Sequence, residues 1–89
     1  MKYKYQLPER IIEQGYKMRE FANGGAQVSL ITKDGQVHRA VLISAPYIIA
    51  MRGVVDLPFL PEDIVEIYQT EEDKNPRERG GWQFWDEWK

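Results

Sequence analysis

The chain has 89 residues and a mass of 10.5 kDa, which is enough for one domain with a single modest core. Apolar residues make up 43% and charged residues 29%, as in folded domains, and the net charge of −2 gives no overall basic field that would attract nucleic acid or an anionic membrane. The absence of cysteine and the single histidine exclude disulfides, thiolate zinc sites and thiol nucleophiles, so we expect neither an enzyme nor a cofactor or metal.

The N-terminal region, residues 1–25, is predicted to form an extension and one helix. Residues 2–5 alternate lysine with tyrosine, as proteins that bind single strands do, but at a terminus this pattern favours a frayed or edge-pairing extension. Pro8 suits a first helical turn, and Asn23-Gly24-Gly25 supplies a stop signal, so an amphipathic helix is predicted between them. Gly15 interrupts the apolar face of this helix and predicts a close approach to the surface beneath it.

The second region, residues 26–69, has the pattern of short strands. Strands are predicted at residues 28–33, 37–43, 47–51 and 64–68, with a bend or a short further strand beginning at Gly53. Asp34-Gly35 is a strong signal for the turn of a β-hairpin. Pro58 and Pro61 exclude a central strand between them. The predicted fold class is therefore mainly β, with one N-terminal helix and a small, strongly bent five-stranded barrel.

The third region, residues 70–89, is predicted to be an acidic linker followed by an aromatic tail. Residues 70–81 contain no large apolar side chain and are typical of a solvated segment. Four aromatic side chains follow within eight residues: Trp82, Phe84, Trp85 and Trp88. Exposed tryptophans favour association, so this tail is predicted either to dock on its own barrel or a neighbouring subunit, or to anchor another protein.

The order and spacing of motifs in the strand region resemble those of a known family. Val28-Ser29-Leu30 precedes Asp34-Gly35 at the spacing V-x-L-x(4)-G, and Ala40 stands where the family has a glycine at a bend. Residues 44–51 occupy the place of a further conserved segment of that family, and residues 64–67 the place of its closing strand. On these motifs, residues 28–67 resemble the Sm-like family, which includes the Lsm and Hfq-like proteins.

The resemblance implies a small five-stranded SH3-like or Sm-like barrel that assembles into a homo-oligomeric ring of five to seven subunits and binds single-stranded RNA. Tyr47 would stack on a base, and Arg52 would contact phosphate. His38 and Lys33 are the remaining candidates for RNA contacts. Other interpretations stay open, because Tyr47 can pack on its neighbour, Arg52 can pair with Asp56, and His38 can be solvated.

Two functions are therefore weighed. The first is an RNA-binding or RNA-chaperone-like module, although Pro61 and Glu62 replace the family's lysine-histidine pair, so a uridine pocket is absent or rebuilt. The second is a protein-interaction or assembly scaffold that uses the aromatic tail and binds no RNA. No apolar run approaches the length of a membrane span, and the first residues lack a signal-peptide core, so we expect a cytoplasmic protein without a membrane partner.

Overall fold

One antiparallel sheet holds most of the chain together. The computed structural model describes residues 5–20, 25–52, 54 and 56–75. Its elements are β1 (Tyr5–Gln6), α1 (Glu9–Lys17), β2 (Ala26–Thr32), β3 (Val37–Ser44), β4 (Tyr47–Met51), a 3₁₀ turn (Pro61–Asp63), β5 (Ile64–Tyr68) and α2 (Glu71–Lys74). The strands form one sheet in the order β1-β4-β3-β2-β5, which curls into half a barrel. This confirms the predicted fold class.

The hairpin between β2 and β3 forms at the predicted turn. Gly35 adopts a φ of +83°, a conformation that glycine reaches without steric cost. Its amide donates to the Thr32 carbonyl at 2.8 Å, and the Thr32 amide donates to the Gln36 carbonyl at 3.1 Å. The turn chemistry therefore fixes the register that places the apolar side chains of β2 and β3 on one face.

Three register shifts bend the sheet. Between β2 and β3, the pairs Val28–Val41 and Leu30–His38 leave two residues of β3 opposite one residue of β2. One of the two, Ala40, has a φ of +57°, so it adopts the left-handed conformation at the position where the resemblance places a bend glycine. Further shifts interrupt the β2–β5 and β3–β4 ladders. Bulges increase local twist, and three of them curl a small sheet into a half-barrel.

The fifth strand of the sheet comes from the N-terminal extension. Residues 52, 54 and 56–60, the described part of the segment around Gly53, contain no strand. The N-terminal β1 takes the edge position instead, where Tyr5 pairs with Ile48 and Gln6 with Tyr47. The predicted edge-pairing extension is thus confirmed for these two residues. Of the two alternatives expected from Gly53, a bend or a short strand, the described residues after Arg52 show bends and no strand.

The core fills the concave side of the sheet. Its buried members come from four strands (β2, β3, β4 and β5), from α1 and from the segment leading into it: Leu7, Ile11, Ala26, Val28, Leu30, Val41, Ile43, Ile48, Ile64 and Ile67. Met18, Val54, Leu57 and Phe59 pack against this cluster from outside. Burying each large aliphatic side chain contributes about 1.5–3 kcal/mol. Among the described residues, no helix has the length and apolarity needed to cross a membrane.

Helix α1 lies close to the end of the barrel. A Cβ on Gly15 would lie 2.7 Å from Leu7 Cδ1 and 3.5 Å from Ala45 Cβ, which confirms the predicted close approach. The helix ends at Lys17, several residues before the predicted stop, and Met18 is extended with ψ 143°. The earlier end has a physical cause, because the side chain of Gln69 holds both backbone groups of the next residue, Arg19, in an extended segment.

Residues 70–75 differ from the solvated linker that the sequence predicted. Asp73 is only 2% exposed, and its carboxylate accepts hydrogen bonds from Gln27 Nε2 at 2.8 Å, Ser29 Oγ at 2.8 Å and the Thr70 amide at 2.9 Å. Thr70 Oγ1 accepts in turn from the Asp73 amide at 3.1 Å, which completes a capping box. The outer face of β2 is therefore covered by a short helical turn that is held by one buried carboxylate.

We expect Asp73→Ala to lower the free energy of unfolding by roughly 2–5 kcal/mol, because it leaves several buried donors without an acceptor. Asp73→Asn should cost less, since the amide of Gln27 can rotate to accept from the new NH₂ group. Urea unfolding followed by circular dichroism measures both values.

The matched control is Glu71→Ala in the same turn, where the side chain is 96% exposed and makes one ion pair with Lys74 at 3.9 Å. Its effect should stay within about 0.5 kcal/mol. If Asp73→Ala were equally mild, the buried carboxylate would not hold this segment to β2.

Candidate functional site at the hairpin end of the sheet

The hairpin end of the sheet gathers two of the predicted site residues, Lys33 and His38. Lys33 begins the turn, and its amide donates to the Asp63 carbonyl at 2.9 Å. Its Nζ lies 3.7 Å from Asp63 Oδ1, and both side chains reach solvent. The contact ties the hairpin to the start of β5. An exposed pair of this kind contributes little to stability and leaves the lysine able to exchange partners.

A hydrogen-bonded chain connects the turn to His38. Thr32 Oγ1 lies 2.5 Å from Asp34 Oδ1 and 3.2 Å from His38 Nε2. An ionised carboxylate can only accept, so the single proton of the threonine hydroxyl goes to Asp34. His38 Nε2 must then carry a hydrogen and donate to the hydroxyl. The buried threonine thereby selects the histidine tautomer and leaves Nδ1 as the acceptor of the neutral ring.

The Thr32 hydroxyl lowers the pKa of Asp34 below its ordinary value, and the Gln36 amide acts in the same direction. That amide donates to Asp34 Oδ1 at 3.1 Å. Both donors favour the charged carboxylate, so the turn is braced by an ionised aspartate. With its proton donated to Asp34 and its oxygen accepting from His38, Thr32 stabilises the turn and is not placed as a nucleophile.

His38 also packs against an aromatic side chain that the sequence analysis did not select. The ring centroids of His38 and Phe59 lie 4.6 Å apart, with an interplanar angle of 48°. Both side chains are partly exposed. Phe59 lies between Pro58 and Pro61, the two prolines that were expected to exclude a central strand. In the sequence, the only signal that could have indicated Phe59 was an aromatic residue in a loop bounded by prolines.

Two arginines lie at the bulge that follows His38. Arg39 precedes Ala40, and its side chain is exposed and makes no ion pair with any residue that the structure describes. The amide of Arg52 donates to the Ala40 carbonyl at 3.0 Å, which brings the exposed Arg52 to the same bend. Arg39 was missed in the sequence because alternating polar residues in a strand ordinarily mark nothing more than a solvated face.

Tyr47 lies apart from these residues. It begins β4, where it pairs with Ser44 at the end of β3 and with Gln6 of β1. His38 stands near the opposite end of β3, so the strand separates the two side chains. The backbone positions of Lys33, His38 and Arg52 therefore lie toward the hairpin end of the sheet, and Tyr47 lies toward the other end.

The predicted partner-binding residues of the tail, Trp82, Phe84, Trp85 and Trp88, lie outside the described residues. Within the described ranges, no group of three or more histidine, cysteine, aspartate or glutamate side chains is arranged to hold a metal ion. Comparisons with protein-family models, with curated proteins and with solved structures found no match to this chain. The Sm-like resemblance therefore stays a prediction.

The braced turn predicts a pH dependence. Because the pKa of Asp34 is lowered in the folded state, its ionised form contributes stability above the unfolded pKa of about 3.9, and this contribution disappears as the pH falls through the lower folded value. Asp34→Asn should therefore lower the Tm near neutral pH, and the difference from the wild type should shrink below pH of about 4.

Thermal unfolding measured from neutral to acidic pH tests this expectation. Glu13→Gln, on the exposed face of α1, is the control for loss of one negative charge. A Tm difference for Asp34→Asn that does not change with pH would contradict the role given to the ionised carboxylate.

Proposed function

We propose that the chain binds single-stranded nucleic acid, RNA in the first place, through the hairpin end of its sheet. The observation that supports this most is the His38–Phe59 ring pair, together with the exposed Arg39, the next residue of β3, at the bulge. Proteins that bind single strands combine aromatic side chains, on which bases stack, with cations that follow the phosphates. Both kinds of group occur in the segments that form this end of the sheet.

The local charges fit this use despite the overall net charge of −2. Asp34 is already engaged by Thr32 and by a turn amide, and Asp63 faces Lys33. Arg39 adds an exposed guanidinium at the bulge, with geometry suited to phosphate oxygens. The positive footprint would thus be small and local, which predicts modest affinity and a shallow dependence on salt.

His38, when its ring is neutral, would add a hydrogen-bond acceptor. Its Nε2–H donates to Thr32, so Nδ1 is the nitrogen that can accept from a base NH group. This reading differs from the one drawn from the Sm-like resemblance, in which Tyr47 stacks on the base. Both remain predictions, and because the two residues lie at opposite ends of β3, mutations separate them.

Binding of labelled single-stranded oligouridine and oligoadenine is measured by fluorescence anisotropy at several salt concentrations. Phe59→Leu, which keeps apolar volume and removes the ring, should weaken binding by roughly 1–3 kcal/mol. Arg39→Ala should weaken binding to both oligonucleotides alike and reduce the salt slope by about one unit.

Arg19→Ala, an exposed arginine on another part of the chain, is the matched control and should leave binding unchanged. Tyr47→Leu should also leave it unchanged, whereas a loss confined to this variant would favour the Sm-like arrangement instead. Absence of binding to either oligonucleotide at low salt would contradict the proposal as a whole.

A protein-interaction function of the tail is the second candidate. Asp73 fixes residues 70–75 to Gln27 and Ser29 on β2, so the last described residues of the chain have a defined position on the barrel. A fixed starting point lowers the entropic cost of presenting aromatic side chains to a partner. A variant that lacks the tail must keep Asp73 and its contacts with β2, so it should end at Asn75.

All three tryptophans lie in the tail, so the intrinsic tryptophan emission reports on the tail alone. A partner anchor predicts water-exposed emission of the purified protein and an unchanged free energy of unfolding for the chain that ends at Asn75. Blue-shifted emission together with a loss of stability on shortening would instead show that the tail docks on its own barrel.

A further inference from the structure

Helix α1 lies beside the outer edge of β5. This strand is the last in the sheet and pairs only with β2 within the described sheet. Arg10 in the first turn of α1 donates from Nη2 to the Glu62 carbonyl at 2.9 Å and also to the Ile64 carbonyl. One guanidinium thus occupies main-chain acceptors at the beginning of β5.

The Ile64 carbonyl accepts no hydrogen bond from the amide of Thr32, the residue opposite it in the ladder. In the ladder, Ile64 stands opposite Thr32. The Thr32 amide, however, donates in the other direction, to the Gln36 carbonyl at 3.1 Å. Arg10 therefore takes a carbonyl that a further strand could otherwise use for pairing.

A second contact fastens the same segment at the other end of β5. Gln69, the residue after the strand, donates from Nε2 to the Arg19 carbonyl at 2.9 Å and accepts from the Arg19 amide at 2.8 Å. The nine residues of α1 span about 13 Å, and the five residues of β5 about 16 Å. The helix and the strand therefore run side by side between these two attachments.

An uncovered β5 would be a competent edge for pairing. Val65, which is β-branched, is 49% exposed on this strand. Exposed β-branched side chains beside unpaired main-chain groups form a template for strand addition, and covering such an edge with a helix is one way in which proteins prevent it.

We propose that α1, held by Arg10 and Gln69, guards the β5 edge against pairing with a second copy of this chain. A second copy is the expected occupant because two identical edges can pair antiparallel about a two-fold axis, and pairing would bury Val65 on both. The Sm-like resemblance implies a ring in which the fourth strand of one subunit pairs with the fifth strand of the next, so such a ring could form at this edge only after the guard opens. The inference is independent of the proposed nucleic-acid binding, since Arg10 lies outside the hairpin site.

Size-exclusion chromatography with light scattering, over a range of protein concentrations, tests the guard. The mass of Arg10→Ala should rise with concentration to that of a dimer or larger, while the wild type stays at its monomer mass. Arg19→Ala is the matched control and should behave as the wild type, because Arg19 contacts Gln69 through its backbone and keeps this contact when the side chain is removed.

Val65→Lys tests whether association occurs through the β5 edge. A charge on an edge strand opposes pairing, so the double variant Arg10→Ala/Val65→Lys should return to the wild-type mass. Thermal unfolding confirms that each variant is folded, and Arg10→Gln replaces Arg10→Ala if the latter shows no cooperative transition. The proposal is overturned if the folded Arg10 variant keeps the wild-type mass at every concentration, or if the double variant stays associated. It is also overturned if the wild type is itself an oligomer and Val65→Lys alone lowers its mass.

Discussion

The carboxylate of Asp73 allows β2 to be buried on both faces, and the rest of the sheet depends on that strand. One face of β2 places Val28 and Leu30 in the core, and the other carries Gln27 and Ser29. Polar side chains on a covered face are costly unless each finds a partner. Asp73 supplies acceptors for both, so the strand can pair with β3 and β5 while its back is shielded from water.

The bend of the sheet connects this fold to its proposed use. Ala40 adopts a left-handed conformation at a bulge in β3, and this bulge places Arg39 and Arg52 at the same turn of the surface. The braced hairpin next to it holds His38 in one tautomer against Phe59. The curvature that closes the core thus also places the two arginines and the His38–Phe59 pair toward one end of the sheet. The proposed binding of nucleic acid depends on this placement.

Local sequence signals predicted much of the architecture. Asp34-Gly35 specifies its own turn, because hairpin pairing is encoded over short distances. Four of the strands were predicted from apolar segments that are flanked by turn residues. The fifth strand, Tyr5–Gln6, was expected only as a frayed or edge-pairing extension, since a two-residue edge strand has too few residues to show a period. The end of α1 was missed because Gln69, a distant residue, fixes it.

The candidate site was less predictable for the same reason. Thr70-x-x-Asp73 has the spacing of a capping box, but an acidic stretch is usually solvated, and only the positions of Gln27 and Ser29 on the back of β2 reveal that Asp73 is buried. Phe59 and His38 are 21 positions apart in the chain and meet only through the curl of the sheet. Pairwise contacts of this kind leave no periodic trace in a single sequence.

The most direct measurement is an NMR titration of the ¹⁵N-labelled full chain with single-stranded oligouridine. Binding at the hairpin end predicts that the amide shifts change most at Lys33, His38, Arg39, Arg52 and Phe59, and change little along α1. Shift changes centred on Tyr47, or no changes at low salt, would contradict it.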